Sequence, residues 1–268
     1  MNCRYSTVRL AVLFAIALAL VMTWTLWPVS VATAAVYQVN YTALGDSIAF
    51  GLYAFPGQGY VPLYAKDIHN ATHLSVNLYP LGVPGWTSTD LANALKTNIV
   101  FQLSVYGSNA ITWNIGGNDL NHARSSFKAG TCGGSLNQQC LQDAVNTFQS
   151  NWGVIISRIK LLRQGRPTLL RTMDIYNPYV AEDTAAGDFA VLNGYLTQVN
   201  NIIHSTELAP YNIPYARVYE AFNIDLNNNV VDPASKGLLA FDGFHPNTAG
   251  HAVIAAKLNA LGYAATMP

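Results

Sequence analysis

Short runs rich in β-branched residues, Leu and Tyr alternate along most of this chain with segments of helical spacing, and that alternation restricts the fold most. The strand-like runs cover residues 36–44, 74–81, 110–115, 168–175 and 214–219, with Gly, Pro or Asn at their ends. Helical spacing recurs at 59–70, 88–97, roughly 140–164, 184–207 and 247–261. In the longest of these, Leu141, Val145, Phe148, Trp152, Ile155, Ile159 and Leu162 share one stripe. Asn247 or Thr248 is placed to cap the last, and Gly262 to end it. Strands that alternate with helices require right-handed crossovers and a parallel sheet covered on both faces. The expected fold class is therefore three-layer α/β/α, with a flavodoxin-like five-stranded parallel sheet. At 268 residues and 51% apolar, the chain can bury one core, and no linker divides it into two large domains.

The N-terminus reads separately. Arg4 and Arg9 precede an uncharged run from Leu10 to Trp27, then Pro28 and the small-residue stretch "SVATAA". A basic start, an apolar middle and an Ala32-x-Ala34 end make an export signal. The apolar run is also long enough to span a bilayer, so a retained anchor is the alternative. The expected organisation is a leader over residues 1–35 and one domain over 36–268. In either case the body lies outside the cytoplasm: secreted, or held at a membrane only if the leader is kept.

The cysteines agree with export. Cys3 falls in the leader, which leaves Cys132 and Cys140 in a Gly-rich loop, and one disulfide closing that loop is the economical reading. Lys plus Arg equals Asp plus Glu at 14 each, so no bulk charge calls for nucleic acid or an anionic surface. A monomer is expected.

In sheets of this kind the reactive groups gather beyond the carboxyl ends of the strands. The first strand runs into "GDS", with Ser47 just past its end. The second runs into "LGVPGWTS", with Gly82 and Gly85, and the third into "GGND", with Asn118 and Asp119. "DGFH", with Asp242 and His245, comes after the fifth strand and before the last helix. These parts suit acyl transfer. A serine hydroxyl is a weak nucleophile until a base takes its proton, and neutral imidazole is poised to do so near pH 7. An anion accepting the other ring N–H sets the tautomer. Asp242, three residues before His245 in a tight turn restricted by Pro246, can fold back to the ring. The N–H groups of Ser47 and Gly82 and the amide of Asn118 are then available to the tetrahedral oxyanion.

These four blocks, in this order over roughly residues 41–250, resemble those of the SGNH hydrolases, also called GDSL esterases and lipases. The resemblance implies Ser47 as nucleophile, His245 as base, Asp242 as its partner, and Ser47, Gly82 and Asn118 as oxyanion donors. It implies a serine esterase or lipase working through an acyl-Ser47 intermediate without a cofactor. One departure is Tyr79-Pro80-Leu81 before the second-block glycine, where the family often has Asn. No G-x-S-x-G elbow occurs, which disfavours the α/β-hydrolase fold. Two rivals stay open: a non-catalytic carbohydrate- or lipid-binding protein on an esterase fold, and an acyltransferase using the same triad.

Around the motifs, Trp86, Trp113 and Phe244 either line a pocket or pack into the core. Asp46 reads as a structural hydrogen-bond former and His251 as a packed or solvated histidine. A metal site built from Asp242, His245 and His251 has no further loop donating ligands, so no metal is expected. The substrate is a small-molecule, lipid or carbohydrate ester. Without a long apolar lid, small or exposed esters are favoured.

Overall fold

The structure, a computed structural model, describes residues 38–263. The expected leader, residues 1–35, lies outside the described residues. Among the described residues no helix is long and apolar enough to cross a membrane.

Five strands form one parallel sheet: β1 (Gln38–Gly45), β2 (Ser75–Gly82), β3 (Ala110–Asn114), β4 (Leu169–Met173) and β5 (Tyr215–Ala216). Their spatial order is β2-β1-β3-β4-β5, as expected for a flavodoxin-like sheet. The winding reverses at β1, so chains leaving β1 and β3 diverge to opposite faces and leave a crevice at their carboxyl ends. β1 is central and almost wholly buried, the usual state of a strand covered on both faces.

Helices α1 (Ser47–Phe50) and α2 (Tyr60–Thr72) follow β1, and α3 (Ser88–Thr97) and α4 (Ile99–Gly107) follow β2. Helices α5 (Gly117–Lys128) and α6 (Gln139–Arg163) follow β3, and α7 (Val180–Ala186) and α8 (Phe189–His204) follow β4. After β5 come α9 (Val218–Asn223) and α10 (Thr248–Asn259). On one face, Tyr64 and Ile68 of α2, Phe222 of α9 and Ile254 of α10 pack with Val39, Tyr41 and Ala43 of β1. On the other, Leu91 of α3, Phe101 of α4, Phe148 and Ile155 of α6 and Val199 of α8 pack with Leu44, Ile111 and Trp113. The period-two alternation of β1 thus feeds two cores, and each fully buried large side chain contributes roughly 1.5–3 kcal/mol.

Several elements depart from the sequence expectation. α4 was not foreseen because "IVFQLSVYG" is apolar all round, leaving Ile99, Val100 and Leu103 exposed and no helical stripe to read. α5 begins inside the "GGND" block and carries few apolar residues. The single helix expected at 184–207 is broken at Gly187, whose left-handed backbone ends α7 before α8 starts. β5 is only two residues long, because Val218 onward turns into α9.

Cys132 and Cys140 form a disulfide in the α5–α6 connection. Asn137 braces the same loop, accepting from the Cys132 N–H at 2.8 Å and donating to the Phe127 carbonyl at 2.8 Å.

Candidate active site

Ser47 opens α1 immediately beyond β1 and is buried. The turn that holds it is fixed by Asp46, whose Oδ1 accepts from the Ile48 N–H at 2.9 Å and from the Asn114 side chain at 2.8 Å. Asn114 in turn accepts from the Tyr60 hydroxyl at 2.8 Å, so a buried relay from α2 through the end of β3 sets the turn. Burial pushes the Asp46 carboxyl up to about 6, against those hydrogen bonds and the nearby His245.

His245 comes to Ser47 from the other end of the chain. Its Nε2 lies 2.9 Å from Ser47 Oγ, and its Nδ1 lies 2.5 Å from Asp242 Oδ2. The two oxygens of Asp242 divide their work. Oδ1 accepts from the backbone N–H groups of Phe244 and His245, closing the tight turn, while Oδ2 takes the ring. A proton on Nδ1 facing a carboxylate leaves Nε2 as the acceptor for the serine hydroxyl. Burial raises the Asp242 carboxyl, but the hydrogen bonds from the His245 ring and from the Phe244 and His245 backbone outweigh it and hold it below the ordinary value. The loop is anchored further by the Tyr176 hydroxyl, which donates to the Phe244 carbonyl at 2.6 Å.

Asn118, on the first turn of α5, donates one amide hydrogen to the Trp86 carbonyl at 2.8 Å. That bond fixes which end of the amide carries nitrogen and leaves its second hydrogen free. Its neighbour Asp119 accepts from both the N–H and the hydroxyl of Ser88, at 2.8 and 2.5 Å. The segment after β2 is therefore stapled twice to the start of α5.

Gly82 sits differently from the placement that the resemblance implies. A Cβ there would collide with the backbone of Ala49 and Phe50, so glycine is needed for β2 to lie against the turn that carries Ser47. The Val83 N–H donates to Gly45 O at 2.9 Å, and successive N–H groups of a strand point to opposite edges. The Gly82 N–H therefore faces the outer edge of β2, away from β1. Gly85, three residues on, has a φ of 83° with nothing near its Cβ position. Among the described residues its N–H donates to no protein acceptor.

An open-mouthed pocket adjoins Ser47 and Asn118. Its walls include Ile48, Leu120, Leu141, Ile175, Leu192 and Leu196. Arg124 also lines it, but its guanidinium is held by Asp183 and Glu182, each at 2.7 Å, and lies over the Tyr179 ring. Phe244 is on the wall, whereas Trp113 lies in the core beside Trp152 and Trp86 stacks on Phe101. The post-β4 stretch "IYNPY" forms one side of the pocket. Leu192 and Leu196 belong to a helical i, i+4 pattern that no sequence signal separates from core packing.

His251 is fully buried and joins the start of α2 to the loop before it: its Nδ1 accepts from the Tyr60 N–H at 3.3 Å and its Nε2 donates to the Leu52 carbonyl at 3.2 Å. Burial lowers its pKa to about 4, so the ring is neutral. Asp242, His245 and His251 make no ligand cluster; among the described residues no group of three or more His, Cys, Asp or Glu is arranged to hold a metal ion.

A five-stranded parallel sheet of this order, carrying these blocks at its carboxyl rim, defines a class of hydrolase. A model of the GDSL-like lipase/acylhydrolase family matches residues 43–253, and the chain belongs to that family. Among its relatives is the spore germination lipase LipC of Bacillus licheniformis, 22% identical over 84% of this chain and 97% of that protein. The protein YpmR of Bacillus subtilis is 26% identical over 82% of this chain and 80% of its own length. The fold is similar to that of the lipase Lip_vut3 from a goat rumen metagenome, with a TM-score of 0.71 at 22% identity over 85% of this chain and 100% of that one. It is also similar to the acetylxylan esterase Axe2 of Geobacillus stearothermophilus, with a TM-score of 0.57 at 20% identity, covering 85% and 96%.

Proposed function

We propose that the protein is an exported serine esterase that hydrolyses carboxylic esters with an apolar acyl chain. The observation that carries the reading is the chain of contacts Asp242–His245–Ser47 at the mouth of an apolar pocket. Ser47 Oγ attacks the ester carbonyl as His245 Nε2 takes its proton, and Asp242 stabilises the imidazolium that forms. The tetrahedral oxyanion is met by the Ser47 N–H and the second hydrogen of the Asn118 amide. For the third donor, the orientation of the Gly82 N–H argues against that residue, and the unpaired N–H of Gly85 is the better candidate. The tetrahedral species collapses, His245 passes the proton to the departing alcohol, and acyl-Ser47 remains. His245 then activates water, which releases the acid by the reverse sequence.

The pocket favours apolar acyl groups over the small exposed esters expected from the absence of a lid. Asn118, Asn121 and Arg124 mark its course along α5, a rise of about 9 Å, room for a medium acyl chain. Export through residues 1–35 fits the Cys132–Cys140 disulfide, which persists in oxidising compartments; sequencing the mature N-terminus distinguishes cleavage from anchoring.

The test is a chain-length series of p-nitrophenyl esters with wild type and Ser47→Ala. Wild type is expected to prefer medium chains over acetate, and Ser47→Ala to lose at least about 10⁴ in kcat. Equal turnover by the two proteins defeats the proposal.

A further inference from the structure

The loops around Ser47 are without charge over long stretches. No Lys, Arg, Asp or Glu occurs in residues 47–65 or 75–89, and residues 237–250 contain only Asp242, which is engaged with His245. On these loops Phe50, Phe55 and Phe241 are 61%, 69% and 89% exposed. The rings are presented by a fixed backbone. The Phe55 N–H is held by Thr248 Oγ1 at 3.0 Å, Phe50 ends the turn that Gly82 packs against, and Phe241 rests edge-on against Tyr53. Tyr53 lies against His245, so this rim adjoins the candidate catalytic pair. Large aromatic rings left in water cluster where an apolar surface is to cover them.

We infer that this face docks on the surface of a lipid aggregate without net charge. The inference rests on reading the pocket as an acyl site. That pocket adjoins Ser47, and the rim adjoins His245, so an ester held at the rim lies beside the same candidate nucleophile–base pair. Interfacial Phe side chains bind by burying apolar area, whereas recognition of anionic lipid requires Lys and Arg that these loops lack.

The test separates docking from turnover. Full-length Ser47→Ala protein is titrated with phosphatidylcholine vesicles, with and without phosphatidylglycerol, at low and high salt. The same chain carrying Phe50→Ser, Phe55→Ser and Phe241→Ser in addition is titrated in parallel. Binding to phosphatidylcholine is expected, with little response to anionic lipid or salt, and the three changes should weaken it on the order of a hundredfold. With Ser47 intact, the three changes should leave hydrolysis of a dissolved butyrate ester within about twofold of wild type while lowering the rate on vesicle-borne ester.

Five results overturn the inference. Binding unchanged by the three substitutions would put the contact elsewhere, on the exposed Ile99, Val100 and Leu103 of α4 or on residues 10–27. Absence of binding, or binding only to anionic vesicles, would remove the uncharged surface as partner. A dimer dissolved by the three substitutions would make a second copy the occupant. Equal losses on dissolved and vesicle-borne ester would make the rings part of turnover. If wild type hydrolyses nothing yet binding still falls with the three substitutions, the esterase reading fails and the docking surface stands.

Discussion

Replacing Asp46 by Asn should stabilise the protein at neutral pH relative to acid pH, by an amount that the burial of this carboxyl sets. Asp46 is 4% exposed, and burial raises its pKa from 3.8 to about 6. The folded chain therefore holds this proton more tightly than the unfolded chain, and ionising the group opposes folding. Below about pH 4 both states are protonated and there is no penalty; it grows as the pH rises to about 6 and is constant above. At 1.36 kcal/mol per pH unit, a rise from 3.8 to about 6 corresponds to about 3 kcal/mol. Asn keeps an oxygen at the position of Oδ1, which takes both hydrogen bonds, and carries no charge. Urea unfolding of both proteins across that range should show the variant gaining about 3 kcal/mol over wild type between about pH 4 and pH 7.5. A difference of the same size at every pH, whatever its sign, would refute the assignment of this penalty to Asp46.

Other substitutions probe the remaining parts. Asn118→Ala should lower kcat by about 10²–10³ with a smaller change in KM, measured on a dissolved ester. Leu192→Phe or Leu196→Phe should shorten the pocket, reducing kcat/KM on medium-chain esters roughly tenfold or more while sparing acetate. Replacing Cys132 and Cys140 by Ser, which opens a link between residues 8 apart, should destabilise the protein by about 2–3 kcal/mol in urea unfolding.

The strand positions and the residues just past them were legible because both follow from local pattern. β1 alternates two faces and stops at Gly45, and Asp242 stands close enough to His245 for one turn to join them. The pocket was not legible. Leu141, Leu192 and Leu196 occupy helix positions that a core would fill with the same residues, and only the crossing of α5, α6 and α8 leaves space beside them. The relay Tyr60–Asn114–Asp46 joins residues brought together by the pairing of β1 with β3 and the packing of α2 on the sheet, with no spacing to reveal it. The role of Gly82 likewise depends on strand register. Motif position alone gives a glycine in the right block, whereas the edge to which its N–H points follows from the Val83 bond to Gly45.

The contact between Ser47 and His245 spans 198 residues of chain. Synthesis releases the hydroxyl 198 residues before the imidazole, so a polypeptide cut short between the two holds Ser47 without His245 to deprotonate it. In the proposed mechanism the serine gains its base only when the loop carrying Asp242 and His245 reaches the carboxyl end of β1. By that mechanism, ester turnover would count only molecules whose chain extends past His245, and shorter fragments would be silent.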